Sequence, residues 1–150
     1  MKGHQALRKG RCSISGQVYL VTATTHCRKP FFFDWAAASE VARVISSPSV
    51  CGGSSFLAWV LMPDHFHILV ELGETDKLPA LMSRLRGACT RRLTSAGLVR
   101  GPLWAKAFHD RAIRREEDLL PAARYIIANP MRAGISRGVS DYPFWNAVWV

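Results

Sequence analysis

Met62–Val70 reads MPDHFHILV. Pro63-Asp64 is a tight-turn signal between two apolar runs. It predicts a hairpin with one strand over Phe56–Met62 and another over His65–Glu71. A strand alternates its side chains between two faces, so His65 and His67 point the same way and Phe66, Ile68 and Val70 point the other. Two imidazoles on one face are either a shared hydrogen-bonding feature or two ligands of one metal ion.

Upstream of this hairpin, GQVYLVTATT (Gly16–Thr25) is rich in β-branched residues and reads as a first strand. Asp34 is a candidate N-cap for a helix through WAAASEVARVISS, where Ala38, Val41, Ala42 and Ile45 recur at helical spacing. PSVCGGSS breaks that helix. Downstream, a helix over Leu78 to Ala96 is expected, with Leu78, Leu81, Met82, Leu85 and Cys89 as its core stripe. A fourth strand follows around Ala107–Arg114.

REEDLLPAARYIIAN then reads as a helix stopped by Pro130. Proline is comfortable only in a first turn, so Pro121 puts the regular start near Leu119. The remainder, with Trp145 and Trp149, reads as an irregular tail packed back on the domain. The order β-α-β-β-α-β plus a helix is an α+β, ferredoxin-like (RRM-like) plan. Its antiparallel sheet carries helices on one face and leaves the other for a ligand. Residues 1–15 read as a flexible basic arm and 16–150 as one domain.

The composition, 49% apolar and 21% charged over 150 residues, is that of a folded chain with a real core. No apolar run approaches a membrane span, and the basic start lacks the apolar segment of a signal peptide, so a cytoplasmic protein is expected. Cys12, Cys27, Cys51 and Cys89 are scattered without a C-x-x-C pair and read as reduced thiols. Twenty Lys and Arg face eleven Asp and Glu, a formal charge of +9. That balance points to nucleic acid or another polyanion as partner. Lys77, Arg84 and Arg91, seven apart on one helix, form a candidate phosphate track with Arg8, Lys9 and Arg11 of the arm.

Tyr125 and Asn129 are four apart on the last helix and share a face. Each has an ordinary structural account, as a rim aromatic and as a helix-ending residue before proline. Together with His65 and His67 they make a mechanism. Two imidazoles and an amide oxygen can hold a divalent cation with positions open for phosphate oxygens. A tyrosine one turn from the amide ligand then stands beside that phosphate.

MPDHFHILV, the following basic helix, LWAKAFHDRAIR, ARYIIANPMRAGI and DYPFW together resemble the single-tyrosine HUH transposases. The resemblance is closer still to REP-associated tyrosine transposases and runs from about Arg11 to the C-terminus. It implies a ferredoxin-like HUH domain with a C-terminal catalytic-tyrosine helix. It also implies Tyr125 as nucleophile, His65, His67 and Asn129 as metal ligands, and Mg or Mn as cofactor. The implied substrate is single-stranded DNA beside a hairpin of a palindromic repeat, cut through a 5′-phosphotyrosine intermediate. The resemblance leaves the oligomeric state open, with a monomer favoured by the REP-associated kind and exchange of the tyrosine helix between subunits by insertion-sequence relatives, and it implies a bacterial cytoplasm, at the nucleoid. The alternatives are a catalytically inactive module recognising repeat hairpins and, ranked last, an RNA phosphodiesterase with two H-x-[TS] motifs, of which the second is lacking. His26, Lys106, His109 and Arg111 are further polar groups near the sheet to which no chemistry is assigned.

Overall fold

The computed structural model describes residues 16–149. The stretch 1–15, with Arg8, Lys9 and Arg11 of the expected arm, lies outside the described residues.

Five strands form one antiparallel sheet in the order β4-β1-β3-β2-β5. They are β1 (Val18–Thr24), β2 (Ser55–Met62), β3 (His65–Glu71), β4 (His109–Ile113) and β5 (Trp145–Ala147). The helices are α1 (Trp35–Ile45), α2 (Pro48–Cys51), α3 (Leu78–Ser95), α4 (Leu119–Ile127) and α5 (Asn129–Arg132). The β2–β3 hairpin closes at Pro63-Asp64, with Met62 opposite His65. Asp34 caps α1, its carboxylate accepting from the Ala36 amide at 3.2 Å.

Alternation along the strands divides the core in two. Tyr19, Val21 and Ala23 of β1, Leu61 of β2, and Phe66, Ile68 and Val70 of β3 are buried against α1 and α3. The α3 stripe Leu78, Leu81, Met82, Leu85 and Cys89 completes that layer. The opposite set, Val18, Leu20, Ala58, Val60, Met62 and Leu69, packs under α4. The second sheet face is therefore not wholly open: Ala122, Ala123 and Ile126 lie on it. The two alanines let the helix approach the strands closely, and only part of the face stays accessible.

Three local features depart from expectation. PSVCGGSS holds a short helix, α2, before the chain turns at Gly52 in the left-handed region (φ 57°). The tail contributes a fifth strand, with Trp145, Asn146 and Ala147 opposite Val60, Trp59 and Ala58. Trp145 packs beside the second layer as expected, but Trp149 remains 45% exposed. Pro121 falls in the first turn of α4, where a missing N–H breaks no helical bond. Pro130 lies at the start of α5 and has no N–H to offer Ile126, so α4 ends at Ile127.

Candidate functional site

His65 and His67 stand on the α4 face of β3. Their ring centroids are 4.8 Å apart with planes at 78°. Each imidazole is oriented by a protein oxygen. His67 Nδ1 meets the Thr22 hydroxyl at 2.8 Å, across a β1–β3 pair in which the two residues are direct partners. His65 Nδ1 meets Asp64 Oδ1 at 2.7 Å, and Arg28 Nε donates to the other Asp64 oxygen at 3.1 Å. With both Nδ1 atoms engaged, both Nε2 atoms are left for a shared ligand, the arrangement that outer hydrogen bonds impose on metal-binding histidines.

The electrostatics agree with a neutral His67. Burial pushes its pKa down to about 4, helped by the charges of His65 and Arg132. A neutral imidazole keeps its lone pair for a metal across the physiological range. Burial alone would raise the Asp64 carboxyl, but hydrogen bonds from His65 and Arg28 outweigh it and hold the group below its usual value.

α4 brings Tyr125 to this pair. Its ring centroid is 6.5 Å from that of His67, and the side chain is 53% exposed. From α5, Arg132 folds back over the tyrosine. Its guanidinium carbon is 4.0 Å from the ring centroid, and Nη2 donates to the Tyr125 carbonyl at 2.9 Å. The cation thus serves the carbonyl end of α4 and the π face of Tyr125 together.

Asn129 lies one turn beyond Tyr125, at the start of α5, which packs on β2. Its side-chain nitrogen is buried with no hydrogen-bond partner, alone in this among the described residues. An orphaned buried amide is costly, and a flip would present its oxygen at the same place. Among the described residues no three His, Cys, Asp or Glu side chains gather into a metal cluster. By donor chemistry alone, two imidazoles and an amide oxygen make an N,N,O set that could serve a divalent cation such as Mn or Mg.

A groove of about 840 Å³ runs from His67 and Tyr125 along β1 and β4, past Arg111 and Arg114. Both arginines are exposed, whereas Arg115 at its end is paired with Glu117 and Asp118. The expected basic track on α3 is elsewhere, on the far side of the sheet from the histidines. Arg91 there lines a separate groove with Arg43 and Arg92, and Lys77 is exposed ahead of α3. Arg84 is engaged otherwise: it donates to Asp76 at 2.8 Å and to the Val50 carbonyl at 2.7 Å, tying α3 to α2.

Thr22, Asp64 and Arg132 were missed by sequence reasoning. Thr22 and Asp64 carried a usable signal. Asp64 directly precedes His65, and Thr22, like Thr24, is a polar residue on a strand face whose other members, Leu20 and Val18, are buried.

A family model described as "Transposase IS200 like" matches residues 13–127. The chain belongs to the IS200-like transposase family. Asn129 and Arg132 fall just beyond the matched span. The chain is 34% identical over 87 residues to the REP-associated tyrosine transposase of Escherichia coli K12, covering 58% of this chain and 50% of the relative. A putative REP-associated tyrosine transposase of Haemophilus influenzae is 29% identical over 98 residues, covering 59% and 56%. The chain thus spans about half the length of the curated relatives it matches. A solved structure of a REP-associated tyrosine transposase bound to a REP hairpin superposes with a TM-score of 0.71 at 23% identity, covering 90% of this chain and 79% of that one. A putative transposase from Deinococcus radiodurans gives 0.53 at 22% identity, covering 79% and 94%. At those identities the likeness is one of fold. No helix among the described residues is long and apolar enough to cross a membrane.

Proposed function

We propose that this IS200-like family member is a DNA nicking and joining enzyme that acts on single strands beside hairpin-forming repeats, with Tyr125 as nucleophile. The observation that carries the reading is the Tyr125 ring 6.5 Å from His67, itself 4.8 Å from His65, on one accessible sheet face. The REP hairpin bound by the structural neighbour supports the substrate class.

The Tyr125 oxygen attacks the scissile phosphorus and loses its proton. The P–O3′ bond breaks, and the 3′ oxygen takes up a proton as it leaves. The 5′-phosphate stays on Tyr125, so the ester keeps the bond energy and a second 3′-hydroxyl can reverse the step without ATP. A divalent cation bound by His65, His67 and Asn129 would neutralise the phosphate oxygens and favour attack by a phenol whose ordinary pKa is about 10. Thr22 and Asp64 hold the two imidazoles in register. Arg132 holds the ring of Tyr125, and Arg111 and Arg114 attract the strand along the groove.

The test is incubation with hairpin-bearing single-stranded DNA and Mn, followed by a denaturing gel. A covalent protein–DNA band with a free 3′ end is expected. Hairpin binding without any band would leave a regulatory DNA-binding module in its place.

A further inference from the structure

Phe33 and Trp35 are 82% and 66% exposed, Phe33 in the turn before α1 and Trp35 the first residue of that helix. Phe32 between the loop and the core is 4% exposed, so the apolar requirement of this segment is already met by its neighbour. Trp35 is held by a tilted contact with Phe144, ring centroids 4.9 Å apart, which fixes the indole and leaves much of it in solvent.

The same segment is fastened to the turn that carries His65. The Phe32 amide donates to the Pro63 carbonyl at 3.0 Å. Cys27 and Arg28 both adopt left-handed backbone, φ 55° and 54°, a costly conformation for residues other than glycine. From that turn Arg28 reaches Asp64, the residue that orients His65. Arg28 and Lys29 are exposed in the same turn, where the Phe31 amide donates to the Lys29 carbonyl at 2.9 Å and the Phe33 amide to the Pro30 carbonyl at 3.1 Å. Asp34 lies between Phe33 and Trp35 with its carboxylate on the α1 amides, which disfavours phosphate over the rings themselves.

Exposed aromatic rings on a segment that also carries exposed cations suit unpaired bases, whose π faces stack and whose phosphates follow the positive charge. A second copy of this chain would bring the same +9 charge and is disfavoured as occupant. We propose that Phe33 and Trp35 form a stacking platform for unpaired bases of the strand flanking the hairpin, with Arg28 and Lys29 on its phosphates. The platform gives the proposed nuclease a grip on single-stranded flank separate from its grip on the hairpin, and it rests on that reading for the identity of the strand.

The test compares a hairpin oligonucleotide carrying a single-stranded flank with the same hairpin lacking it, in EDTA so that no cleavage intervenes. Phe33→Ala with Trp35→Ala is expected to weaken binding of the flanked hairpin about ten- to a hundredfold. Binding of the blunt hairpin is expected to stay within twofold. Trp35→Phe, which keeps a stacking face, should restore part of the loss. Equal losses on both oligonucleotides, or no loss on either, overturn the platform. So does a change in sedimentation from dimer to monomer with DNA affinity intact, which would make this face a contact between copies. The adduct gel with wild-type protein reads the nuclease proposal separately: its failure with a flank-specific loss in EDTA leaves the platform standing.

Discussion

The guanidinium of Arg132 lies 4.0 Å from the centre of the Tyr125 ring and also donates to the Tyr125 carbonyl. One side chain thereby fixes both the ring of the proposed nucleophile and the end of the helix that carries it. An exposed cation–π contact is worth about 0.5–1 kcal/mol. Arg132→Ala should therefore lower the rate of adduct formation by on the order of tenfold once the carbonyl contact is lost as well. Single-turnover kinetics should show the loss in kcat, with KM for the hairpin little changed and Arg132→Lys intermediate. A rise in KM alone would make Arg132 a phosphate contact.

Tyr125→Phe removes one oxygen from a half-exposed ring and should leave thermal stability within about 0.5 kcal/mol. Hairpin affinity should persist while cleavage and the covalent band vanish together. Tyr19 is buried in the α1–α3 layer and Tyr142 donates to the Leu61 carbonyl, so neither replaces it. Cleavage by Tyr125→Phe would make water the nucleophile.

Thr22→Val keeps the shape of the side chain and deletes the oxygen 2.8 Å from His67 Nδ1. Lost outer hydrogen bonds cost metal sites roughly 10- to 100-fold in affinity. Calorimetric titration with Mn should show a drop of that order for Thr22→Val, and similarly for Asp64→Asn. Unchanged Mn affinity in both would remove the metal from this histidine pair.

The sequence carried the site further than it carried the site's supports. Period-two alternation placed His65 and His67 on one face because it depends on short-range geometry, and Asp34 and the α3 stripe were legible for the same reason. The i, i+4 relation of Tyr125 and Asn129, by contrast, crosses the break between α4 and α5. The Thr22–His67 pair depends on register between strands 45 residues apart, which no local pattern encodes. β5 is three residues long and owes its strand form to the edge of β2. The cover over the second sheet face comes from the apolar stripe Ala122, Ala123 and Ile126 of α4, and a stripe does not say which face of a sheet it will meet. Seven-residue charge spacing does not tell the exposed Lys77 and Arg91 from Arg84, which is paired, since spacing says nothing of partners.

Arg84 illustrates this. Asp76 accepts from Arg84 and from Ser54, and those bonds outweigh burial to hold its carboxyl below the usual range. Arg84→Ala should destabilise the fold by about 1–3 kcal/mol in urea, as for a charge-assisted hydrogen bond with a part-buried partner left behind. Its effect on the salt dependence of DNA binding should be negligible. Arg111→Ala and Arg114→Ala, in the groove that Tyr125 lines, should each flatten the salt slope by about one unit. A flattened slope for Arg84→Ala would return it to the phosphate track.

His67 sets a pH dependence with a defined sign. Burial, and then the charges of His65 and Arg132, hold its pKa at about 4 in the folded chain. In the unfolded chain it is about 6.5. Between those values the unfolded state binds more protons, so stability rises with pH across that window. The contribution is complete above about pH 6.5, declines as pH falls towards 4, and is flat below. Its size is on the order of 3 kcal/mol. Asp64, with a lowered carboxyl pKa, loses its contribution only further into acid. Urea midpoints measured from pH 4 to 7.5 in EDTA should therefore climb for wild type and stay nearly level for His67→Gln. Added Mn should steepen the wild-type climb, because binding requires the neutral ring. Parallel curves for the two proteins would mean that His67 titrates normally and is not held neutral by the sheet.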